Sequence, residues 1–236
     1  SGDYYISFDN VSVGKLIGQG MEECLADWKI ANPDILVMAG SPDDNNATLF
    51  KQGYMDVLKP KFDDGTYKNA GEPAGTWDPS VARTTFEQQF TAHENINAVV
   101  TPNDDNANAV ISYLKTLKVP PKSFPTTGQD ATVTGLQNIL TGYQCGTVYK
   151  PIYLEAQAAA ALALYLRAGE TPPASLINGK TMDSAQNKEV PSILMVPIWV
   201  TAKNLADTVV KDNFVDVAKL CTGGAADACK AAGIGN

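Results

Sequence analysis

Ile35-Leu-Val-Met-Ala39, running into Gly40-Ser-Pro-Asp-Asp-Asn-Asn46, is the stretch on which the fold turns. Five apolar residues stand in a row without polar alternation. A strand of that kind is buried on both faces, as in a parallel sheet covered by helices. The polar loop that follows leads into a helical pattern at Leu49, Phe50, Tyr54, Val57 and Leu58, and Pro60 is predicted to end it. Upstream, Val13, Ile17, Met21, Cys24 and Trp28 recur at helical spacing along one face, after a β-rich run from Tyr4 to Phe8.

The same rhythm continues downstream. A polar stretch from Asp63 to Gly75 reads as loop with room for a short strand, and Pro79 suits a helix first turn, with Ala82, Phe86 and Phe90 on one face. Strands are predicted at Ile96–Thr101, Phe124–Gly128 and Cys145–Tyr149. Helices follow them, through Leu117, over Val133, Leu136 and Leu140, and to about Arg167. The alanine-rich run Ala156–Ala163 within the last of these is predicted to be buried. Thr171–Val190 reads as a loop or a hairpin, Ser192–Val196 as a strand interrupted by Pro197, and Ala202–Lys211 as a final helix. Strands alternating with helices specify an α/β fold with parallel, Rossmann-like sheets and helices on both faces.

The chain has 236 residues and a net charge of −8. That charge argues against nucleic acid and against acidic lipid as partners, since both need a basic face. No apolar run is long enough to span a bilayer as a helix.

In open parallel sheets, ligands bind beyond the carboxyl ends of the strands. The polar residues delivered there are Asp44 and Asn46, Trp77, Asn103, Asp130 and Lys150. Carboxylates accept several hydroxyl protons, Asn both donates and accepts, Lys donates, and an indole offers a flat apolar face. The set therefore suits a polyhydroxylated small molecule such as a sugar. Asp and Asn after strands are also common helix caps and turn formers, and each residue taken alone is open to that reading. Asp43, Asp104, Asp105 and Asn106 are expected to do no more than cap or turn. Trp28 and Trp199 are expected in the core, and His93 on the surface.

Cys221 and Cys229 frame a loop of glycines and small residues. A disulfide there is favoured over a zinc site, because no His is near and the spacing is not that of usual ligand pairs. A disulfide implies an oxidising, exported location. Cys24 and Cys145 are read as small buried residues. The chain begins at Ser1 one step before a strand, which predicts that it was processed or is a fragment.

With these segments in hand, the sequence resembles the type I periplasmic sugar-binding proteins, and within them the xylose-binding branch. The stretches that carry the likeness are Tyr5-Ile-Ser-Phe-Asp-Asn10, Gly40-Ser-Pro-Asp-Asp-Asn-Asn-Ala47, Val57-Leu-Lys-Pro60, Asn103-Asp104, Gly128-Gln-Asp130, Thr147-Val-Tyr-Lys-Pro151, Val190-Pro-Ser192 and Asp207-Thr-Val-Val-Lys-Asp212. The resemblance implies sugar contacts at Asp44, Asn46, Trp77, Asn103, Asp130 and Lys150. It implies a monosaccharide ligand, D-xylose first, with glucose or another pentose or hexose as the alternative. It implies no cofactor, no metal and no chemistry, and delivery of the sugar to the permease of an ABC importer.

In that family two lobes joined by three crossing strands close on the sugar by hinge bending, a behaviour for which periplasmic binding proteins are a standard example. Residues 1–9 would be a crossing strand, 10–149 the C-terminal α/β lobe, 150–196 the remaining part of the N-terminal lobe, and 197–236 a return to the C-terminal lobe and tail. A further N-terminal segment, with an Asp-Arg pair for the sugar, would precede Ser1, so one lobe is expected to be incomplete. The implied location is periplasmic or extracellular, with a lipid anchor at the outer face of the cell membrane as one form.

Two other functions use similar residues. A sugar-sensing domain of a transcription regulator would need a DNA-binding helix-turn-helix, and the acidic charge and expected tail disulfide disfavour it. A sugar-active enzyme could use Asp44 and Asp130 as an acid/base pair, but no nucleophile accompanies them. The Asp43–Asn46 run lacks the spacing of an EF-hand calcium loop.

Overall fold

A computed structural model describes residues 2–183 and 185–235; Ser1, Ser184 and Asn236 lie outside the described residues. The chain forms two compact units, Asn10–Tyr149 with Ile198–Asn236, and Ser1–Asp9 with Lys150–Pro197. It passes from one unit to the other three times.

The larger unit is built on β2 (Asp34–Val37), β3 (Lys68–Gly71), β4 (Ala98–Val100), β5 (Gly146–Tyr149) and β8 (Ile198–Thr201). β3, β2 and β4 lie side by side in that order, all parallel. Phe124–Gly128 does not form the regular strand expected. It contributes single parallel bridges, Val99 to Thr126 and, just beyond it, Gln129 to Val148, which join β4 to β5. The reason is local. Pro125 has no N–H to give, and side chains replace the ladder between Thr101 and Thr127, where the Thr101 N–H donates to Thr127 Oγ1 at 3.0 Å and that hydroxyl donates to the Thr101 carbonyl at 3.0 Å. β8 closes this edge antiparallel to β5.

Helices α1 (Asn10–Asp27) and α2 (Asn45–Asp63) pack on each other, as do α3 (Pro79–Ala92) and α4 (Asp104–Thr116). Leu36 and Met38 of the central strand segment cluster with Ala82, Phe86, Val110 and Leu114, so alternation sends Ile35 and Val37 to the opposite face. All four are buried, as the unbroken apolar run requires. α1 and α2 meet through glycines: a Cβ at Gly14 would lie 2.1 Å from the Phe50 carbonyl oxygen, and one at Gly53 2.2 Å from that of Val11. Pro60 does not end α2, which runs to Asp63. It sits in the last turn, where its carbonyl still accepts from the Asp64 N–H at 3.1 Å.

α5 (Val133–Leu140) and the tail complete a second core with Leu136, Tyr149, Val200, Leu205, Val209 and Leu220. The expected helix near Ala202–Lys211 is a π-helical turn, Ala206–Val210. The Thr208 hydroxyl donates to the Asn204 carbonyl at 2.8 Å, taking the acceptor that an α-helical N–H would use. α7 (Val217–Leu220) and α8 (Ala226–Ala231) follow, tied by the Cys221–Cys229 disulfide. A second disulfide joins Cys24 to Cys145. Both residues are buried, as expected, but they are paired; a separation of 121 residues leaves no local signature of it.

Trp199 is half-buried and lies between two glycines. A Cβ at Gly20 or at Gly146 would fall 2.3 Å from its ring. Trp28, also half-buried, stands just past α1, while His93 caps the end of α3 and is exposed.

The smaller unit has β7 (Lys188–Met195) between β1 (Tyr5–Phe8), to which it is parallel, and β6 (Gly179–Asp183), with which it forms a hairpin. Pro191 is tolerated because only β6 is beside the strand at that residue, since the pairing with β1 begins at Ser192. α6 (Ile152–Ala168) is not the buried helix that its alanines suggest. Only Ala158 and Leu162 are buried, against Ile193, whereas Leu164 is 72% and Ile152 54% exposed. The helix is apolar on more than one side, and the sheet of its own unit takes up one. Among the described residues no helix is long and apolar enough to cross a membrane.

Candidate functional site

Parallel pairing of β3, β2, β4 and β5, with the bridged segment before Gln129, brings their carboxyl ends to one edge of the larger unit. Five of the six residues singled out in the sequence follow those ends: Asp44 and Asn46 after β2, Trp77 after β3, Asn103 after β4, and Asp130 after the bridged segment. Lys150, half-buried, belongs to the other unit as its first residue after β5.

Asp44 caps α2, its Oδ1 accepting from the Asn46 N–H at 2.9 Å. Its Oδ2 accepts from the Trp77 indole N–H at 3.1 Å. So Asp44 is both a cap and a partner of Trp77, and a carboxylate has lone pairs left for further hydroxyls. The indole lies directly over Gly40, where a Cβ would come within 2.1 Å of the ring. The Trp77 N–H is held by the Ser41 hydroxyl at 2.9 Å, and Asp78 next to it caps α3. Asn46 Oδ1 accepts from Asn10 Nδ2 at 2.8 Å, which fixes which end of the amide faces outward. Asn103 caps α4 by accepting from the Asn106 N–H at 3.0 Å.

Asp130 stands in an unusual turn. Its φ is 95° and that of Ala131 is 49°, in the region that side chains rarely adopt. Backbone of this kind persists where the surroundings enforce it, and it gathers at functional sites.

Three residues near the edge do more than the sequence suggests. Asn10 orients Asn46, as above. Asn106 is fully buried and donates from Nδ2 to the Thr76 carbonyl at 2.8 Å, bracing the segment that carries Trp77. Asp104, expected only to cap or turn, is 1% exposed and accepts from Gln144 Nε2 at 2.7 Å, the Thr147 hydroxyl at 2.8 Å and the Thr132 N–H at 2.8 Å. Burial pushes its carboxyl up to about 7, against the pull of these donors and with some help from the charge of Asp130. Asp43 and Asp105 remain exposed, as turn and first-turn residues do. Among the described residues no cluster of His, Cys, Asp and Glu is grouped to hold a metal ion.

Residues 1–171 match the family described as periplasmic binding protein domain. The chain belongs to the periplasmic binding protein family. Among curated relatives, the D-xylose-binding periplasmic protein of Escherichia coli is 41% identical over 216 residues, covering 90% of this chain and 62% of that protein. The D-xylose-binding periplasmic protein of Haemophilus influenzae is 36% identical over the same share of this chain and 61% of its own length. The chain thus spans about three fifths of the length of these periplasmic binding proteins. A carbohydrate transporter solute-binding protein from Chloroflexus aurantiacus, solved in complex with D-glucose, superposes with a TM-score of 0.79 at 25% identity, over 92% of this chain and 69% of that one. The fold is therefore the type I periplasmic binding protein fold.

Proposed function

We propose that this protein binds a monosaccharide without chemical change and delivers it to the permease of an ABC importer. The observation that supports the reading is that Asp44, Asn46, Trp77, Asn103 and Asp130 all follow carboxyl ends of parallel-paired segments, in a chain of the periplasmic binding protein family. An indole for the C–H face of the ring, carboxylates that each accept from hydroxyls, and amides that both donate and accept form a donor and acceptor set suited to a sugar. Lys150 is proposed as a further contact.

D-xylose is the first ligand to test, on the strength of the relatives at 41% and 36% identity. The glucose-bound neighbour favours D-glucose as the second. The location proposed is the periplasm or its extracellular equivalent. The two disulfides support it, because such bonds persist in oxidising compartments.

A thermal-shift panel of pentoses and hexoses tests the reading. A ligand at 100 times its Kd stabilises the folded state by about 2.7 kcal/mol, which is a shift of several degrees. A panel in which no monosaccharide moves the transition stands against sugar binding.

A further inference from the structure

We infer that Asp104 is a positioning residue for sugar binding, holding in place the strained turn that presents Asp130. The inference rests on the proposed function and adds to it a residue that touches no sugar itself.

Two consecutive residues of the turn, Asp130 and Ala131, have positive φ without being glycine. Three successive backbone N–H groups pin this conformation. That of Asp130 donates to the Val148 carbonyl at 2.9 Å, that of Ala131 to the Thr147 hydroxyl at 3.3 Å, and that of Thr132 to Asp104 Oδ2 at 2.8 Å. The Thr147 hydroxyl in turn donates to Asp104 Oδ1 at 2.8 Å. Two of the three restraints therefore end on the one carboxylate. Asp104 also grips the chain ahead of the turn, since its own N–H donates to the Gln129 carbonyl at 3.0 Å.

The carboxylate is packed closely against glycine backbone. A Cβ at Gly128 would come within 2.1 Å of Oδ1, and one at Gly135 within 2.3 Å of Oδ2. Gln144 Nε2 donates to Oδ1 at 2.7 Å and to the Gly146 carbonyl at 3.2 Å, so its amide is locked as a donor. Both oxygens of Asp104 thus face fixed donors. At about pH 8, where the carboxyl is ionised and both oxygens accept, an asparagine there would set its NH₂ group against one of these donors in either orientation, and the test is run at that pH.

The test combines residue-resolved hydrogen exchange with titration of D-xylose and D-glucose, for wild type, Asp104→Asn, Thr147→Val and Thr147→Ser. Asp104→Asn and Thr147→Val are expected to speed exchange at Ala131 and Thr132 about tenfold or more, to leave α2 and α3 protected, and to weaken sugar binding at least tenfold. Thr147→Ser, which keeps the hydroxyl, is expected to restore both. If Asp104→Asn fails to fold, the Thr147 pair decides. Variants that bind as tightly as wild type, or that lose affinity with the turn as protected as before, overturn the inference. A wild type that binds no monosaccharide instead overturns the sugar-binding reading beneath it, and the inference falls with it.

Discussion

The Trp77 indole N–H donates to Asp44 Oδ2 at 3.1 Å, joining the residues that follow β3 and β2 into one unit. A hydrogen bond to a carboxylate contributes about 1.5–3 kcal/mol net. Trp77→Phe keeps an aromatic face but frees Asp44, and is expected to weaken sugar binding about tenfold or more without loss of fold. Titration of the variant checks this. An unchanged Kd would show that Asp44 needs no such partner.

Asp130→Ala removes an acceptor from the strained turn and, on the proposed role of Asp130 as a sugar contact, leaves hydroxyls of the bound sugar without a partner. The expected loss is about 100-fold or more in affinity, with little change in thermal stability. Asp130→Asn, which keeps one acceptor, is expected to fall between. Retained affinity in Asp130→Ala would refute its assignment as a contact.

The two disulfides are expected to differ in their effect. In the chain-entropy view, Cys24–Cys145, closing 121 residues, stabilises by about 5 kcal/mol, and Cys221–Cys229, closing eight, by about 2.5 kcal/mol. Double replacement by alanine at the first pair should lower the denaturation midpoint by more than at the second. Urea titration of both variants measures it.

The glycine contact between α1 and α2 is a further test. Gly53→Ala drives a Cβ to 2.2 Å from the Val11 carbonyl oxygen, with backbone on both sides. The cost expected is about 3 kcal/mol, at the upper end for an overpacked core, and a lowered transition temperature reports it. Gly224→Ala, where a Cβ meets nothing, is the control.

Asp104 makes stability depend on pH in a set direction. Its carboxyl titrates near 7 in the folded protein and near the ordinary value when unfolded, so the folded state holds the extra proton between about 4 and 7. This group's contribution is full below about pH 4 and is lost as pH rises through 7, by up to about 4 kcal/mol. Asp104→Asn is expected to flatten the pH dependence of thermal unfolding in that window. A variant whose profile runs parallel to wild type would place the titration elsewhere.

Much of this was legible from residues alone. The unbroken Ile35–Ala39 run announced a strand buried on both faces, and periodicity located α1, α3 and α5 because their buried faces are set by local spacing. The polar residues after the strands could be found by the rule for parallel sheets, although caps and ligand contacts look alike in sequence. Asp44 and Asn103 are in fact caps. What stayed hidden depends on partners distant in the chain. Cys24 meets Cys145 only once α1 lies against β5. Asp104 becomes a buried anchor only when Thr132, Gln144 and Thr147 converge on it. α6 misled because alanine-rich composition records helix propensity and not the amount of neighbouring surface.

Isothermal titration of the protein with D-xylose and D-glucose, followed by recovery of the sugar, distinguishes binding without chemistry from no binding and from turnover. Saturable binding at one site is expected for at least one of the two, with the sugar recovered unchanged. Absence of binding by both sugars, or conversion of either one, would contradict it.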